Sequence, residues 1–382
     1  MINLNRMALP LVSLILLLGL VSCRDNRQAI DQIVEDSAAT EEIGSDLIFK
    51  DITLEEVDTK GKAVWKVHAA QVVYSQDDKV AQVTRPDGEL FDAGKPIFRI
   101  QGQTGEVQRD GEQILLRGNV IVTDIRSKAI LKGDEMTWIP AEGILTIRNN
   151  VVGTHPQMRM SARQAQLFNK ERRLEVSGRV IVTATDPTMQ LQADRLNWFI
   201  DQEIIVSDRP VRLARLRNNQ VTDTATGQTG ELNLKTNVAT LRQAAQVGIQ
   251  NPPLQIAGNS LIWNLSEETL VADQPVTVVH RQQQVTIRAN RANMNFPQER
   301  VYFEQGVQAT GQTNQSQLAS DRLTWNVNDQ EVVAEGNVDY RQSNPPARVQ
   351  GPRAVGRFEN QTVVVSGGRV VTEIIPETIV PQ

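Results

Sequence analysis

Three histidines, two glycine-bracketed loops and a recurring acid–base pair are the residues whose types could do chemistry. Imidazoles ligate metals and move protons, and the chain has three: His68, His155 and His280. His155 and His280 fall at matching places in a repeated sequence. Four repeat units of strands between them, at about 4.8 Å per strand, would hold them roughly 20 Å or more apart. Shared metal ligation is not expected at that distance. "GQTGE", at Gly102 and again at Gly227, has the glycines of a phosphate loop. No lysine follows where such a loop needs one, and no helix is expected after it. Asp194 and Asp321 precede arginines in "ADR" and "SDR" and could be read as paired catalytic carboxylates. On a strand, neighbouring side chains point to opposite faces, and a solvent-side role is expected for both acids. No catalytic residue, metal site or cofactor is therefore assigned.

These candidates recur because the whole body recurs. Phrases related to "ADRLNW" begin at Ala69, Gly102, Gly133, Ala162, Ala193, Gly227, Gly258, Ala289, Ser320 and Gly351, mostly 31 residues apart. Such a period marks a repeat architecture. The fourth position is large in odd copies (Val72, Met136, Leu196, Leu261, Leu323) and small in even ones (Gly105, Ala165, Gly230, Ala292, Ala354). The sixth is aromatic in the odd copies only: Tyr74, Trp138, Trp198, Trp263 and Trp325. Residues two apart share a strand face, so Leu196 joins Trp198 and Leu261 joins Trp263. β-Branched runs follow, interrupted by pairs such as "GN" at Gly118 and Gly336, "NN" at Asn149, "SG" at Ser177 and "GG" at Gly367. Glycine and asparagine tolerate the positive φ of a kink. Each unit is expected to form about three short strands, with odd and even copies on facing sheets, large against small. No sustained helical periodicity occurs in the body.

The first 23 residues, "MINLNRMALPLVSLILLLGLVSC", have a basic start, an apolar run and the ending "LVSC". The run is short for a membrane span and suits a signal peptide. Residues 1–22 are read as a lipoprotein signal peptide, with Cys23 as the lipidated mature N-terminus. As the only cysteine in the chain, Cys23 leaves no intrachain disulfide framework. Residues 23–46 read as an acidic tether. The net charge is −5 and this tether carries most of it, so the body is nearly neutral and nucleic acid is not an expected partner.

The phrases "ADRLNW", "SDRLTW", "LLRGNVIV" and "VVAEGNVDY" resemble those of the periplasmic proteins of lipopolysaccharide export, the LptC and LptA (OstA-like) family. The resemblance implies an all-β, elongated, open twisted β-jellyroll, here of about ten 31-residue modules, whose apolar interior holds acyl chains. The lipid-contacting candidates are Tyr74, Trp138, Trp198, Trp263, Trp325, Leu196, Leu261 and Leu323. It further implies lipopolysaccharide or a related glycolipid as cargo, and ABC transporter membrane subunits as partners. Other OstA-like proteins would join by edge-strand addition, on the periplasmic side of the inner membrane.

Two features depart from the family. The body is about twice the usual domain, so either two tandem domains, over 47–216 and 217–375 and divided near Leu216–Gly227, or one unusually long array is expected, with a tail at 376–382. The anchor is a cysteine rather than a spanning helix. A closed-core envelope scaffold without lipid is the competing reading. A carbohydrate-active solenoid is disfavoured, because no cluster of acids recurs on one face.

Overall fold

A computed structural model of the chain describes residues 41–373, except 44–45, 75–79, 109–110, 187, 314, 345, 358–361 and 368–370. The signal peptide, Cys23, most of the tether and the tail lie outside the described residues. Every regular element described is a strand, and all join one 29-stranded antiparallel sheet. The repeat explains this: β-branched residues at alternate positions, and turn residues every dozen or so.

Each 31-residue unit is two long strands, each bent once near its middle, rather than three short ones. Ile144–His155 and Met158–Phe168 form one such pair, and Arg173–Thr185 and Thr188–Phe199 the next. The bends align, so the single sheet folds along its length into two facing walls. On Thr188–Phe199 the buried positions are Met189 and Leu191 before the bend and Leu196 after it, with half-buried Trp198 beyond. The inward face thus changes parity across Asp194–Arg195, and both halves present apolar side chains to the interior.

The kinks predicted from glycine and asparagine are the bends. Positive φ occurs in adjacent pairs at Gly118–Asn119, Asn149–Asn150, Gly178–Arg179 and Gly336–Asn337. The ladder shifts register beside each one, as a β-bulge requires. Gln243–Ala244 does the same with residues that gave no sequence signal, and Gln305–Gly306 with a lone glycine after a glutamine. At three places a proline stands at the bend instead. Pro86, Pro210 and Pro275 lie between Val80–Thr84 and Asp87–Asp92, Ile204–Ser207 and Val211–Arg217, and Thr269–Ala272 and Val276–His280. Proline has no N–H for the ladder, so these tracks split in two.

The ladder corrects one expectation. Odd and even copies lie side by side on the same wall, not on facing sheets. Met136 pairs with Ile147, Ile147 with Ala165, Ala165 with Val176, and Val176 with Leu196. The reason is direction: every copy crosses the bend in the same sense, and the strands between copies run back. Large and small alternate along the wall. At Gly105 a Cβ would lie 2.6 Å from the Leu115 carbonyl and from Leu116 Cδ2, and at Gly230 2.6 Å from Val211 Cγ1. The small residues are what their neighbours leave room for.

Candidate functional site

The interior between the walls is one apolar cluster running from Phe49 to Val332. The sixth-position aromatics lie on one cross-strand row of the second wall, the wall reached after the bend. Trp138 pairs with Leu145, Leu145 with Leu167, Leu167 with Leu174, and Leu174 with Trp198. The row continues through Ile205, Leu232 and Ala239 to Trp263, then through Leu270, Met294 and Val301 to Trp325. A tryptophan thus recurs every four tracks, about 19 Å at the usual strand spacing. Tyr74 heads the same row through Ala81, Val107 and Ile114.

All eight sequence candidates face the interior, but they are not equivalent. Trp263, Trp325 and Leu261 are fully buried, and Trp138, Leu196 and Leu323 nearly so. Tyr74 and Trp198 are half-buried. The indole Nε1 atoms of Trp65, Trp138, Trp198 and Trp263 are buried without a hydrogen-bond acceptor. An unsatisfied buried donor costs about 1–3 kcal/mol, so these N–H groups are costly features of an interior meant only to pack.

Three of the row's tryptophans are each met from the first wall by a residue three tracks earlier. His155 stacks edge-on to Trp198 at 5.5 Å, His280 tilts over Trp325 at 5.6 Å, and the Arg215 guanidinium lies 5.0 Å from the Trp263 ring. Register shows that Arg215 and His280 are equivalent positions: they oppose Met189 and Leu254, each four residues before its copy. The sequence carries the same signal: Arg215 lies as far after Ala193 as His155 lies after Gly133 and His280 after Gly258, and the change of residue type alone kept it out of view. Backbone N–H groups of Gln157 and Gln283 donate to Nδ1 of His155 (3.3 Å) and His280 (3.2 Å). Burial pushes both imidazoles below their ordinary pKa, with Asp124 opposing at His155. His68 is on the outside, half-exposed, beside Asp51.

Hairpin turns of the two walls meet along the mouth of the trough at two places. In the first, Asn169 bonds Asp92 at 3.2 Å and Arg126 at 3.0 Å, and Arg172 lies 3.8 Å from Asp124. In the second, Arg215 reaches the Leu265 carbonyl and Glu268, both at 3.2 Å, while Asp223 lies 3.6 Å away on its own wall. Arg217 pairs with Glu268 as well. Burial pulls the Arg215 pKa down, and Asp223 and Glu268 oppose it.

The open space inside is discontinuous. A cavity of about 70 Å³ is lined by His155, Met160, Leu196, Trp198 and Ile205 among others. A second, of about 280 Å³, lies toward the C-terminal end, with Val285, Leu318, Tyr340 and Ala354 inside and Gln282, Gln283 and Arg357 at its rim. An engineered cavity of about 150 Å³ holds benzene, so the second admits a stretch of acyl chain and the first only a few carbons.

Of the two acids that looked catalytic, Asp321 has structural work. Asp321 and Asp194 are exposed. Asp321 accepts from Asn337 at 2.8 Å and Asp134 from Asn150 at 2.7 Å, while Asn259 donates to Gln274 at 2.9 Å. The second position of the phrase thus holds the bend of the next track. Arg195 and Arg322 pair with Glu175 and Glu335 on the outer face. Among the described residues no group of three His, Cys, Asp or Glu is placed to hold a metal.

The family model described as lipopolysaccharide-assembly, LptC-related, matches residues 11–146, 131–250 and 267–369. Each matched stretch contains one of the proline-split tracks, at Pro86, Pro210 or Pro275. No curated protein matches the chain.

Proposed function

The chain belongs to the LptC-related lipopolysaccharide-assembly family, and from that premise we propose that it is the membrane-tethered, lipid-binding component of a lipopolysaccharide transport bridge. Membership gives it a role in lipopolysaccharide transport at the periplasmic side of the envelope, in a family of transport and binding components rather than enzymes. In the fuller reading, Cys23 carries the lipid anchor in the inner membrane and the acidic tether spaces the body from it. Glycolipid comes from the membrane subunits of an ABC transporter, and further OstA-like proteins extend the bridge from the exposed edge strands. The body works as two halves, 47–216 and 217–375, and its lipid contacts are the tryptophan row with Tyr74, Leu196, Leu261 and Leu323.

The observation that carries this reading is Trp198. Its indole lines the smaller cavity, and its buried Nε1 has no acceptor. An interior selected for packing alone would satisfy that donor or replace the indole by an aliphatic side chain. An acylated glycolipid brings ester, amide and hydroxyl oxygens among its methylenes and supplies the acceptor. Each CH₂ it buries is worth about 0.8 kcal/mol. The full burial of Trp263 and Trp325 favours the alternative, a closed β scaffold without lipid cargo. Mass spectrometry of the protein extracted from its own membranes separates the two. Stoichiometric acylated glycolipid is the expected result, and protein free of lipid in a detergent that spares such complexes would leave the scaffold.

A further inference from the structure

Arg215 is 5% exposed, a cation inside an apolar trough. Its cross-strand neighbours on the first wall are Met189 and the buried Asp223, and its equivalent in the next odd repeat is His280, which can be neutral. Burying a charge is expensive unless it is paired, so the position needs an explanation that packing does not give. The guanidinium has five donors in a fixed fork. Nη1 faces Asp223 and Glu268, Nη2 donates to the Leu265 carbonyl, and Nε is buried with no partner. Two of the three acceptors, Leu265 O and Glu268, belong to the opposite wall. The side chain is therefore a bridge across the trough with one donor unfilled.

Its place along the trough matters as much as its contacts. The 70 Å³ cavity ends at Ile205 and the 280 Å³ cavity begins at Gln282. Between them Arg215, Leu261 and Trp263 are buried and fill the interior, beside a space at Leu213 and Leu241 of only about 10 Å³, too small for an acyl chain. A chain moving from one cavity to the other must part the walls where Arg215 and Arg217 hold them to Glu268. Removing Glu268 without a substitute would leave the buried guanidinium with Asp223 alone, at 3.6 Å, and breaking part of a buried ion-pair network is costly. Only another anion can relieve the bridge at low cost. Glu268 is a third exposed at its side chain, so it can return to water.

We propose that Arg215 and Arg217 form a gated site for the anionic, phosphate-bearing headgroup of a lipid, which opens the passage between the two cavities by displacing Glu268. The inference rests on the lipid-transport reading above. A phosphate presents several oxygens to the arginine fork and favours bidentate pairing, and it can take Nε together with the donors Glu268 gives up. The bridge then serves as a check. A headgroup arriving in register opens the walls, and an uncharged lipid of similar chain length meets them shut.

The test places spin labels across the mouth, at Asn219→Cys on one wall and Glu267→Cys on the other. It uses the full chain with Cys23→Ser, so that only the introduced cysteines react. Pulsed electron–electron resonance reads the distance between them. Lipopolysaccharide, and the same lipopolysaccharide stripped of phosphate, are the two probes, with binding of each followed separately. The phosphorylated probe is expected to lengthen the distance by more than one strand spacing, about 5 Å, while the stripped probe binds and leaves it unchanged. Glu268→Gln is expected to broaden the distribution with no lipid present. If both probes bind and neither moves the walls, or both move them equally, the headgroup gate is wrong and the lipid reading stands. Binding of neither probe would remove the lipid reading itself. If Glu268→Gln does not fold, the two probes on the otherwise unaltered protein still decide.

Discussion

At the scale of single residues the interior separates packing from cargo contact. Trp263 is fully buried under Arg215, and Trp263→Ala is expected to cost about 3–5 kcal/mol, measured by denaturant unfolding. Trp198→Ala, beside a cavity and half-exposed, is expected to cost clearly less while weakening lipid retention more. The histidines give a pH prediction. Burial lowers the pKa of both His155 and His280 in the folded chain, so between the lowered value and about 6.5 the unfolded chain binds more protons. Stability is therefore highest above about pH 6.5 and falls as the pH drops through it. Melting temperatures between pH 8 and 5 are expected to show that fall. The double variant His155→Gln/His280→Gln is expected to flatten it, and an unchanged slope would assign the effect elsewhere. The residue scale is also where sequence reasoning reached least far. Trp138, Trp198, Trp263 and Trp325 were legible because they recur at one position. Arg215 was not, because an arginine stands there in place of the histidine at the matching positions 155 and 280, and its partners, Leu265 and Glu268, are remote in sequence.

The element that defines the fold is the bent strand. Gly336 has φ +76°, and a Cβ there would run into the Asp321 carboxylate that holds Asn337. Gly336→Ala is expected to lose about 1–2 kcal/mol from the left-handed backbone alone, with more from the displaced carboxylate. Asn337→Gly, which keeps the backbone and loses one side-chain bond, is expected to lose only about 1 kcal/mol. Comparing their denaturation midpoints checks both. Strand character, kink positions and inward faces were readable from period-2 alternation and from Gly and Asn pairs. The bend at Gln243–Ala244 was not, since neither Gln nor Ala signals a positive φ, and the one at Gln305–Gly306 carries only a lone glycine. Nor was the layout of the walls. Alternating large and small residues is equally compatible with facing sheets or with neighbouring tracks, and only the register of Ala165 between Ile147 and Val176 decides it.

At the scale of the molecule, one sheet folded along its length makes a trough whose backbone ladder continues through Leu216–Gly227 with a single register shift between Arg215 and Leu216: Arg215 pairs with Asp223, and Asp223 with Ile249. The division between halves, foreseen there from sequence, is placed by our reading in the side chains, at the Arg215 bridge. Hydrogen exchange is expected to follow packing: slowest where Leu241, Leu261 and Trp263 fill the interior, and fastest at the terminal strands Thr362–Ser366 and Val371–Glu373, where Val364 and Val371 are exposed. The central claim, that lipid travels inside this trough, is tested most directly by photocrosslinking in cells from Trp198 replaced by a photoreactive residue, with exposed Asp194 as the control. A lipid adduct at 198 and none at 194 is the predicted result. Protein adducts alone at 198, or no adduct there, would contradict the account and leave a closed scaffold.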